Sequence, residues 1–455
     1  MYRKALNYLV AWRGRESRRP LIIRGARQTG KTWLVRDFAQ QFDSLLEINF
    51  DKHPEKVQLF KSREIDKILG LLEVDSDIDI SPGNTLLFFD EIQAAPEILP
   101  LLRYFYEERP DIHIICAGSL LEFLLAEHDF SMPVGRIEYL HLGPMDIEEF
   151  LWTQGQERLV EFLETFSLAD SIPESIHQKL LYYVKLFWLV GGMPAAIKRF
   201  CASGELTEAV REHAIILQTY EDDFSKYRKR IYPQRLRKIF RRLPALVGGK
   251  LKYVNIDPEE RSRELADSLH LLELARIFFR VRHSAGNGIP LGAEAKENDF
   301  KPLFLDTGLV ATSLGLNLVK LELAGNLLLI NKGAMAEQFI GQHLLYDRPA
   351  YEKPQLFYWN REKRGSGAEV DYLIAHENQV VPIEIKAGTT GSLKSLHVFI
   401  AEKKVSVALR FNTMQPSCLR QKTVTLISLP LYLVGQTKRL LTEVTIDQDG
   451  RNNPV

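Results

Sequence analysis

Cysteine is scarce in this sequence: Cys116, Cys201 and Cys418 are the only three in 455 residues, and they lie far apart. That spacing excludes a disulfide framework and a paired-cysteine zinc site, and leaves ordinary thiols of a reducing compartment. Net charge is absent too. The 59 basic and 59 acidic side chains cancel, which removes any global electrostatic attraction to nucleic acid or membrane and leaves only local clusters to supply one. Long apolar runs are missing: no stretch reaches the ~18 residues needed to span a bilayer, and no small-residue cleavage pattern follows Leu9-Val10-Ala11-Trp12. A cytoplasmic location with no membrane partner is expected. With 45% hydrophobic and 26% charged residues the composition excludes global disorder. The length, at ~100–200 residues per domain, excludes a single small module.

What is present begins with an α/β rhythm. Segments 19–24, 45–50, 85–89, 113–117 and 137–142 read as strands, with helix-like stretches such as 96–108 between them, the pattern of a parallel sheet with crossover helices. Residues 1–143 are the expected core of this domain. Residues 144–223 turn helical, and residues 224–315 open strongly basic, continue helical to 274 and carry a candidate strand at 275–282. The Gly- and Asn-rich stretch 283–302 reads as a loop or hairpin tip. Residues 316–446 hold a helix at 333–345 and a strand-rich stretch at 355–386, and 447–455 form a frayed tail.

Directly after the first strand stands Gly25-Ala26-Arg27-Gln28-Thr29-Gly30-Lys31-Thr32, a full match to G-x-x-x-x-G-K-[ST], followed by a helical segment from Trp33. Glycines let the backbone wrap phosphate oxygens, the helix N-terminus supplies N–H donors, and Lys31 brings a charge toward the β- and γ-phosphates. The Thr32 hydroxyl suits Mg²⁺, so ATP and Mg²⁺ are the expected cofactors. Downstream, Thr85-Leu86-Leu87-Phe88-Phe89-Asp90-Glu91 is an apolar strand ending in two carboxylates. Asp90 suits the Mg²⁺ shell, and Glu91 the orientation or deprotonation of a water. Phosphoryl transfer needs charge neutralisation and in-line positioning, which Lys31, Thr32, Asp90 and Glu91 can supply. Ser119, after the strand at 113–117, either faces the γ-phosphate or caps the next helix. A P-loop kinase stays open as an alternative, although the adjacent carboxylates favour water as the acceptor.

Between 224 and 242, Lys226, Arg228, Lys229, Arg230, Arg235, Arg237, Lys238, Arg241 and Arg242 occur without an acid, interleaved with Tyr227, Tyr232 and Phe240. The segment is either a nucleic-acid phosphate contact or a solvated face paired with acids such as Glu221, Asp222 and Asp223. Near the C-terminus, segments 367–374 and 380–388 read as a hairpin. A turn centred on Glu377 and Asn378 sets Asp371 opposite Glu384, with Lys386 on the same face as Glu384. Facing carboxylates repel unless a cation lies between them, so a divalent metal is expected there.

The Asp, then Glu-x-Lys arrangement resembles the PD-(D/E)xK nuclease core, and Glu337 on the preceding helix fits its additional acid. That resemblance implies a restriction-endonuclease-like fold in which Asp371, Glu384 and Glu337 hold Mg²⁺ and Lys386 positions water. Over most of its length the chain resembles the bacterial and archaeal ATP-binding proteins that join an AAA-type P-loop domain to an uncharacterised C-terminal domain. The likeness rests on Arg24 through Thr32, Leu87-Phe88-Phe89-Asp90-Glu91-Ile92-Gln93, Gly135-Arg136, Gly191-Gly192-Met193-Pro194 and Phe304-Leu305-Asp306-Thr307-Gly308-Leu309. It implies a nucleotide-switch ATPase with a helical lid at 144–223, a winged-helix-like middle at 224–315 and a C-terminal domain at 316–446. It also implies a lid turn whose Pro194 approaches the nucleotide. Arg136 reads as a sensor, as a finger offered to a neighbouring copy in a homo-oligomer, or as an ordinary surface arginine. The implied whole is an ATPase that couples nucleotide state to nucleic-acid processing. The alternative is a nucleotide-gated scaffold with a silent nuclease-like domain that binds nucleic acid or a protein partner.

Overall fold

The computed structural model describes residues 1–119, 121–122, 135–227, 232–316, 324–361, 367–388, 392–421 and 423–452. Strands β1 (Leu21–Arg24), β2 (Ser44–Asn49), β3 (Thr85–Asp90), β4 (His113–Gly118) and β5 (Glu138–His141) form a parallel sheet in the order β2-β3-β4-β1-β5. β3 and β4 are buried along their whole length, as expected for inner strands covered on both faces. Helices Ala5–Arg13 and Lys31–Ala39 cover one face through Leu9, Trp12, Leu34, Val35 and Phe38. Helices Ile65–Ser76 and Leu102–Glu108 cover the other through Ile68, Leu72, Leu102 and Phe105. Because β4 lies between β1 and β3, the phosphate loop after β1, the carboxylates ending β3 and Ser119 after β4 meet at one edge, where parallel α/β sheets bind ligands.

Residues 147–223 fold as helices Ile147–Thr153, Glu157–Thr165, Glu174–Val190, Pro194–Ser203 and Leu206–Asp223. Helices Pro233–Arg242, Tyr253–Ile256 and Ser262–Leu274 follow, and then a hairpin of β6 (Phe278–Ser284) and β7 (Ala295–Phe304). The glycine-rich stretch read as a loop or hairpin tip thus includes most of β7. The rest is helix Ala324–Tyr346, β8 (Leu356–Asn360), β9 (Glu369–His376), β10 (Gln379–Ile385), helix Lys394–Lys403, β11 (Val407–Asn412), β12 (Ser417–Arg420), β13 (Thr425–Pro430) and helix Thr437–Asn452.

Strands β6 to β13 make one mixed sheet in the order β12-β13-β11-β10-β9-β8-β6-β7. β6 pairs in parallel with β8, so two strands that precede residue 316 belong to the sheet that follows it. β7 is the edge, which is where Pro302, lacking an N–H, is tolerated. A single apolar cluster runs from Phe150 and Phe187 in the helical region through Phe278 and Phe304 of the hairpin to Phe411 and Leu433. The helical region and the mixed sheet are therefore packed as one body. Among the described residues no single helix is long and apolar enough to cross a bilayer.

Candidate nucleotide site and carboxylate–lysine cluster

The phosphate loop turns through Gln28 and Gly30, both with positive φ, and enters the helix at Lys31. Gly25 must be glycine because a Cβ there would be driven into the Leu142 carbonyl oxygen. The loop curls around its own lysine: Lys31 Nζ donates to the carbonyls of Gly25 (3.1 Å) and Ala26 (2.8 Å), and the Thr29 hydroxyl donates to Ala26 O (2.9 Å). Burial lowers the Lys31 pKa to about 8, against the raising effect of Glu91 and Asp90. A buried ammonium held only by carbonyls is poised to exchange them for phosphate oxygens. Trp33 is half-buried in the first turn of that helix.

Thr32 Oγ1 donates to Asp90 Oδ2 at 3.1 Å, and Asn49 at the end of β2 donates to the same oxygen at 3.2 Å. Hydroxyl and carboxylate are the hard-oxygen pair that suits Mg²⁺, so these residues fit the ion. Burial, then Glu91, raises the Asp90 pKa. Glu91 sits at φ 50°, a conformation a non-glycine residue holds only under constraint. Its carboxylate accepts from Gln93 Nε2 (2.5 Å) and Ser119 Oγ (3.4 Å). Ser119 therefore faces the carboxylate pair.

Pro194 lies against the loop, its Cγ 3.5 Å from where a Gly30 Cβ would stand. Arg136 is placed elsewhere, on the surface, bonded to Glu107 at 2.8 Å and over the Tyr106 ring. Several residues around the loop escaped the sequence reading. Arg3 donates to Thr29 O (3.0 Å) and Gly143 O (2.8 Å), the Tyr220 hydroxyl donates to Arg27 O (2.8 Å), and Asp223 pairs with Arg27 (2.7 Å). Arg276 and Arg24 share Glu122. These contacts join parts of the chain 26 to 196 residues apart, and nothing local signals them. Asn49, a polar residue ending an apolar strand, had the signal of a strand-end ligand.

Two motifs quoted singly above bind one another. Asp306 accepts from the amides of Gly192 (2.5 Å), Gly308 (2.9 Å) and Leu309 (3.2 Å) and from Gln342 Nε2 (3.2 Å). The Gly191–Pro194 turn is thus tied to the end of β7 and to helix Ala324–Tyr346. Along that helix Glu337 reaches the C-terminal cluster, Gln342 the Asp306 hub, and Tyr346 packs on Gly143 after β5.

In the mixed sheet the pairing Gln379↔His376 through Ile383↔Tyr372 makes Asp371 and Glu384 the next facing pair. Asp371 Oδ2 accepts from Ile385 N (2.7 Å), and Lys386 Nζ pairs with Glu384 Oε1 (2.5 Å). Glu384 is 4% exposed and its Oε2 is buried without a hydrogen-bond partner. That orphaned oxygen fits a metal ion. A further lysine, absent from the sequence reading, enters from β7. Lys301, only 3% exposed, lies 2.8 Å from Glu369, 3.2 Å from Glu337 and 3.7 Å from Asp371. Burial opposes its charge, but Glu337, Asp371 and Glu369 outweigh it and raise the pKa well above the ordinary lysine value. Burial pushes Glu337 up to about 8 and Glu384 up to about 7. Glu337, Asp371 and Glu384 converge, yet among the described residues no three His, Cys, Asp or Glu form a group that could hold a metal ion.

Among the described residues the basic segment is largely paired. Arg235 meets Glu260 (3.1 Å) and Glu264, Lys238 meets Asp257, Arg241 meets Glu221 (2.6 Å), and Arg242 donates to Asn255 O (3.1 Å). Arg228, Lys229 and Arg230 lie outside the described residues.

Residues 17–151 match the family described as an AAA domain. Residues 182–320 and 332–432 match two domains of unknown function, DUF8612 and DUF4143. No curated protein matches the chain. Among solved structures it is similar to a Walker-type ATPase of Pyrococcus abyssi, at 18% identity over 66% of this chain and 95% of that one, with a TM-score of 0.40. It is also similar to the ORC2 protein of Aeropyrum pernix in ADPNP–ADP complexes (15%, 69% and 91%, 0.32) and to the ORC1 protein of Aeropyrum pernix in complex with DNA (14%, 71% and 93%, 0.27). With every one of these scores below 0.5, the assignment rests on the matched domain, the strand order and the two motifs. The chain contains an AAA-type P-loop domain.

Proposed function

We propose that the chain is an AAA-type ATPase whose nucleotide state governs a nuclease-like, metal-dependent C-terminal domain that processes nucleic acid. The observation that carries the reading is the Thr32–Asp90 contact beside a Lys31 held only by loop carbonyls. Lys31 would exchange those carbonyls for the β- and γ-phosphate oxygens, and the loop amides would cradle the phosphates. Mg²⁺ held by Thr32 and Asp90 would neutralise charge developing on the phosphates. Glu91 would orient or deprotonate the attacking water, positioned by Gln93 and Ser119. Pro194 would report the state of the loop through the lid turn.

At the C-terminal cluster, Asp371 and Glu384 would hold the metal and Lys386 would position water. The succession helix, β8, β9, β10, helix, β11, with the acids on the first helix, β9 and β10, supports the nuclease-like reading. Coupling is supported by helix Ala324–Tyr346, which meets the carboxylate cluster at Glu337 and, about 13 Å further on, packs Tyr346 against Gly143, whose carbonyl shares Arg3 with the phosphate loop. In this reading 144–223 is the lid and 224–315 a winged-helix-like middle whose β-hairpin is β6–β7. The basic segment, in which Arg235, Lys238 and Arg241 are paired with acids, is a secondary candidate for phosphate contact. Arg136, exposed and bonded to Glu107, would be the residue offered to a neighbouring copy in an oligomer.

One observation favours the scaffold reading: Lys301 already neutralises part of the carboxylate cluster. Incubating the purified protein with labelled single- and double-stranded DNA and RNA, with Mg²⁺ or Mn²⁺ and with or without ATP, separates the two. Cleavage lost in Asp371→Ala and altered in Lys31→Ala supports the coupled nuclease. Binding without cleavage supports the scaffold, and phosphate release without any acceptor molecule excludes the kinase.

A further inference from the structure

The cluster below the β9–β10 hairpin holds four carboxylates, Glu337, Glu369, Asp371 and Glu384, and two lysines, Lys301 and Lys386. The two lysines divide it. An ammonium has three N–H donors and no acceptor, and Lys301 has Glu369, Glu337 and Asp371 around it, with the Tyr358 ring 5.5 Å away. Glu369 at 2.8 Å and Glu337 at 3.2 Å are within hydrogen-bond reach, Asp371 at 3.7 Å is an ion-pair neighbour, and at 3% exposure the lysine has no alternative partner in solvent. Breaking a buried pair by moving one partner away is strongly unfavourable, so the lysine is a fixture of the site. The other half is less complete. Lys386 meets one oxygen of Glu384, the second oxygen of Glu384 has no partner, and Asp371 retains lone-pair sites beyond the Ile385 amide and Lys301.

We infer that Lys301 is a built-in cation that takes the Glu337–Glu369 side of the cluster, leaving room for one divalent ion, bound by Asp371 and Glu384. Glu337 then serves the lysine and is not a metal ligand. Lys301 is a positioning residue, supplied by a strand of the middle region, and it sets the number of ions the site accepts. The inference rests on the metal-holding reading of Asp371 and Glu384 proposed above, and it alters the ligand set that the nuclease resemblance implies.

Mn²⁺ titration of the nucleotide-free full chain, counting free ion by its electron paramagnetic resonance signal, tests it without any substrate. Counts are taken relative to Asp371→Asn, so that an ion at the phosphate loop cancels. One ion per chain is expected for the natural protein and for Lys301→Arg, which keeps the charge. Glu337→Gln should keep that one ion, with its affinity weakened by no more than about 10–100-fold, the scale of an effect from a residue outside the ion's direct ligands. Lys301→Met should bind a second ion, or bind the first at least about tenfold more tightly, because one positive charge has left a site of low effective dielectric. Retention of the first ion in Lys301→Met shows that the variant is folded.

Loss of Mn²⁺ in Glu337→Gln overturns the inference and leaves the metal-holding reading standing. An unchanged count and affinity in Lys301→Met, with Mn²⁺ still bound, does the same. Binding in Lys301→Met but not in the natural protein shows that the lysine fills the whole cluster, which also overturns it. Absence of Mn²⁺ from both overturns the inference together with the metal-holding reading, and points to the scaffold.

Discussion

Asp306 joins the Gly191–Pro194 turn to the mixed sheet, and removing it should loosen both. In Asp306→Ala the amides of Gly192, Gly308 and Leu309 and the Gln342 side chain lose their acceptor, and helix Thr307–Ser313 loses its N-cap. An orphaned buried donor costs about 1–3 kcal/mol and a lost cap about 1 kcal/mol. These terms overlap, because the cap is two of the same bonds and water will reach some of the donors, so a net loss of about 4 kcal/mol is expected. Asp306→Asn keeps one oxygen and turns an N–H toward another donor, and should cost about 2 kcal/mol. The carboxyl carries a pH signature as well. Burial raises its pKa from 3.8 to about 6 against its four hydrogen bonds. Between those values the folded chain holds a proton that the unfolded chain has released, so acidification favours folding at this residue. The contribution fades as pH rises through about 6. Asparagine cannot titrate, so the stability deficit of Asp306→Asn should widen from pH 7 to pH 5 by about 1.3 kcal/mol. Urea unfolding read through tryptophan fluorescence measures it, with Trp188 on the helix leading into Gly191 as the local reporter. Hydrogen exchange at Gly192 and Gly308 measures the local opening. A loss below about 1 kcal/mol in Asp306→Ala, or a deficit that narrows on acidification, would refute the reasoning.

Other perturbations have equally definite outcomes. Lys31→Ala should abolish ATP binding measured by a fluorescent analogue, whereas Glu91→Gln should keep binding and slow phosphate release by roughly 10²-fold or more. Gly192→Ala would drive a Cβ into the Met145 carbonyl oxygen. It should destabilise by about 1–3 kcal/mol and weaken nucleotide binding as Pro194 shifts from Gly30. Glu122 is held down to about 2 by Arg276 and Arg24 despite its burial. Glu122→Gln should therefore cost about 3 kcal/mol at neutral pH. That cost is fully present above the unfolded value of 4.5 and is lost as pH falls through about 2, which urea midpoints at descending pH would follow.

The parallel sheet was legible because each of its strands is a short apolar run closed by polar or glycine residues, and the phosphate loop because a strand and a helix flank it. The β9–β10 register was legible for a similar reason: a two-residue turn leaves little freedom in which residues face one another. What escaped is non-local. The pairing of β6 with β8 joins segments more than 70 residues apart, and no periodicity announces a partner. Lys301 carried a faint sign, a lysine between Phe300 and Pro302 in an otherwise apolar run, but its three carboxylates come from a helix and a strand later in the chain. The basic segment misleads in the opposite sense: its charges are dense in sequence, and their acids arrive from neighbouring helices and the turn at 257–260. Asp306 was visible as part of a motif, yet its role required Gly192 to be beside it.

The shared sheet also has a consequence for how such chains can be recombined. A C-terminal cassette cut at residue 316 would leave β6 and β7 behind, exposing the flank of β8 as a sticky edge and stripping the carboxylates of their buried lysine. A transferable unit must start ahead of Phe278. A cut there falls beside Arg276, which holds Glu122 at the nucleotide side. The hairpin thus belongs to two modules at once, and exchange between related chains is expected to move the middle and C-terminal regions as one block.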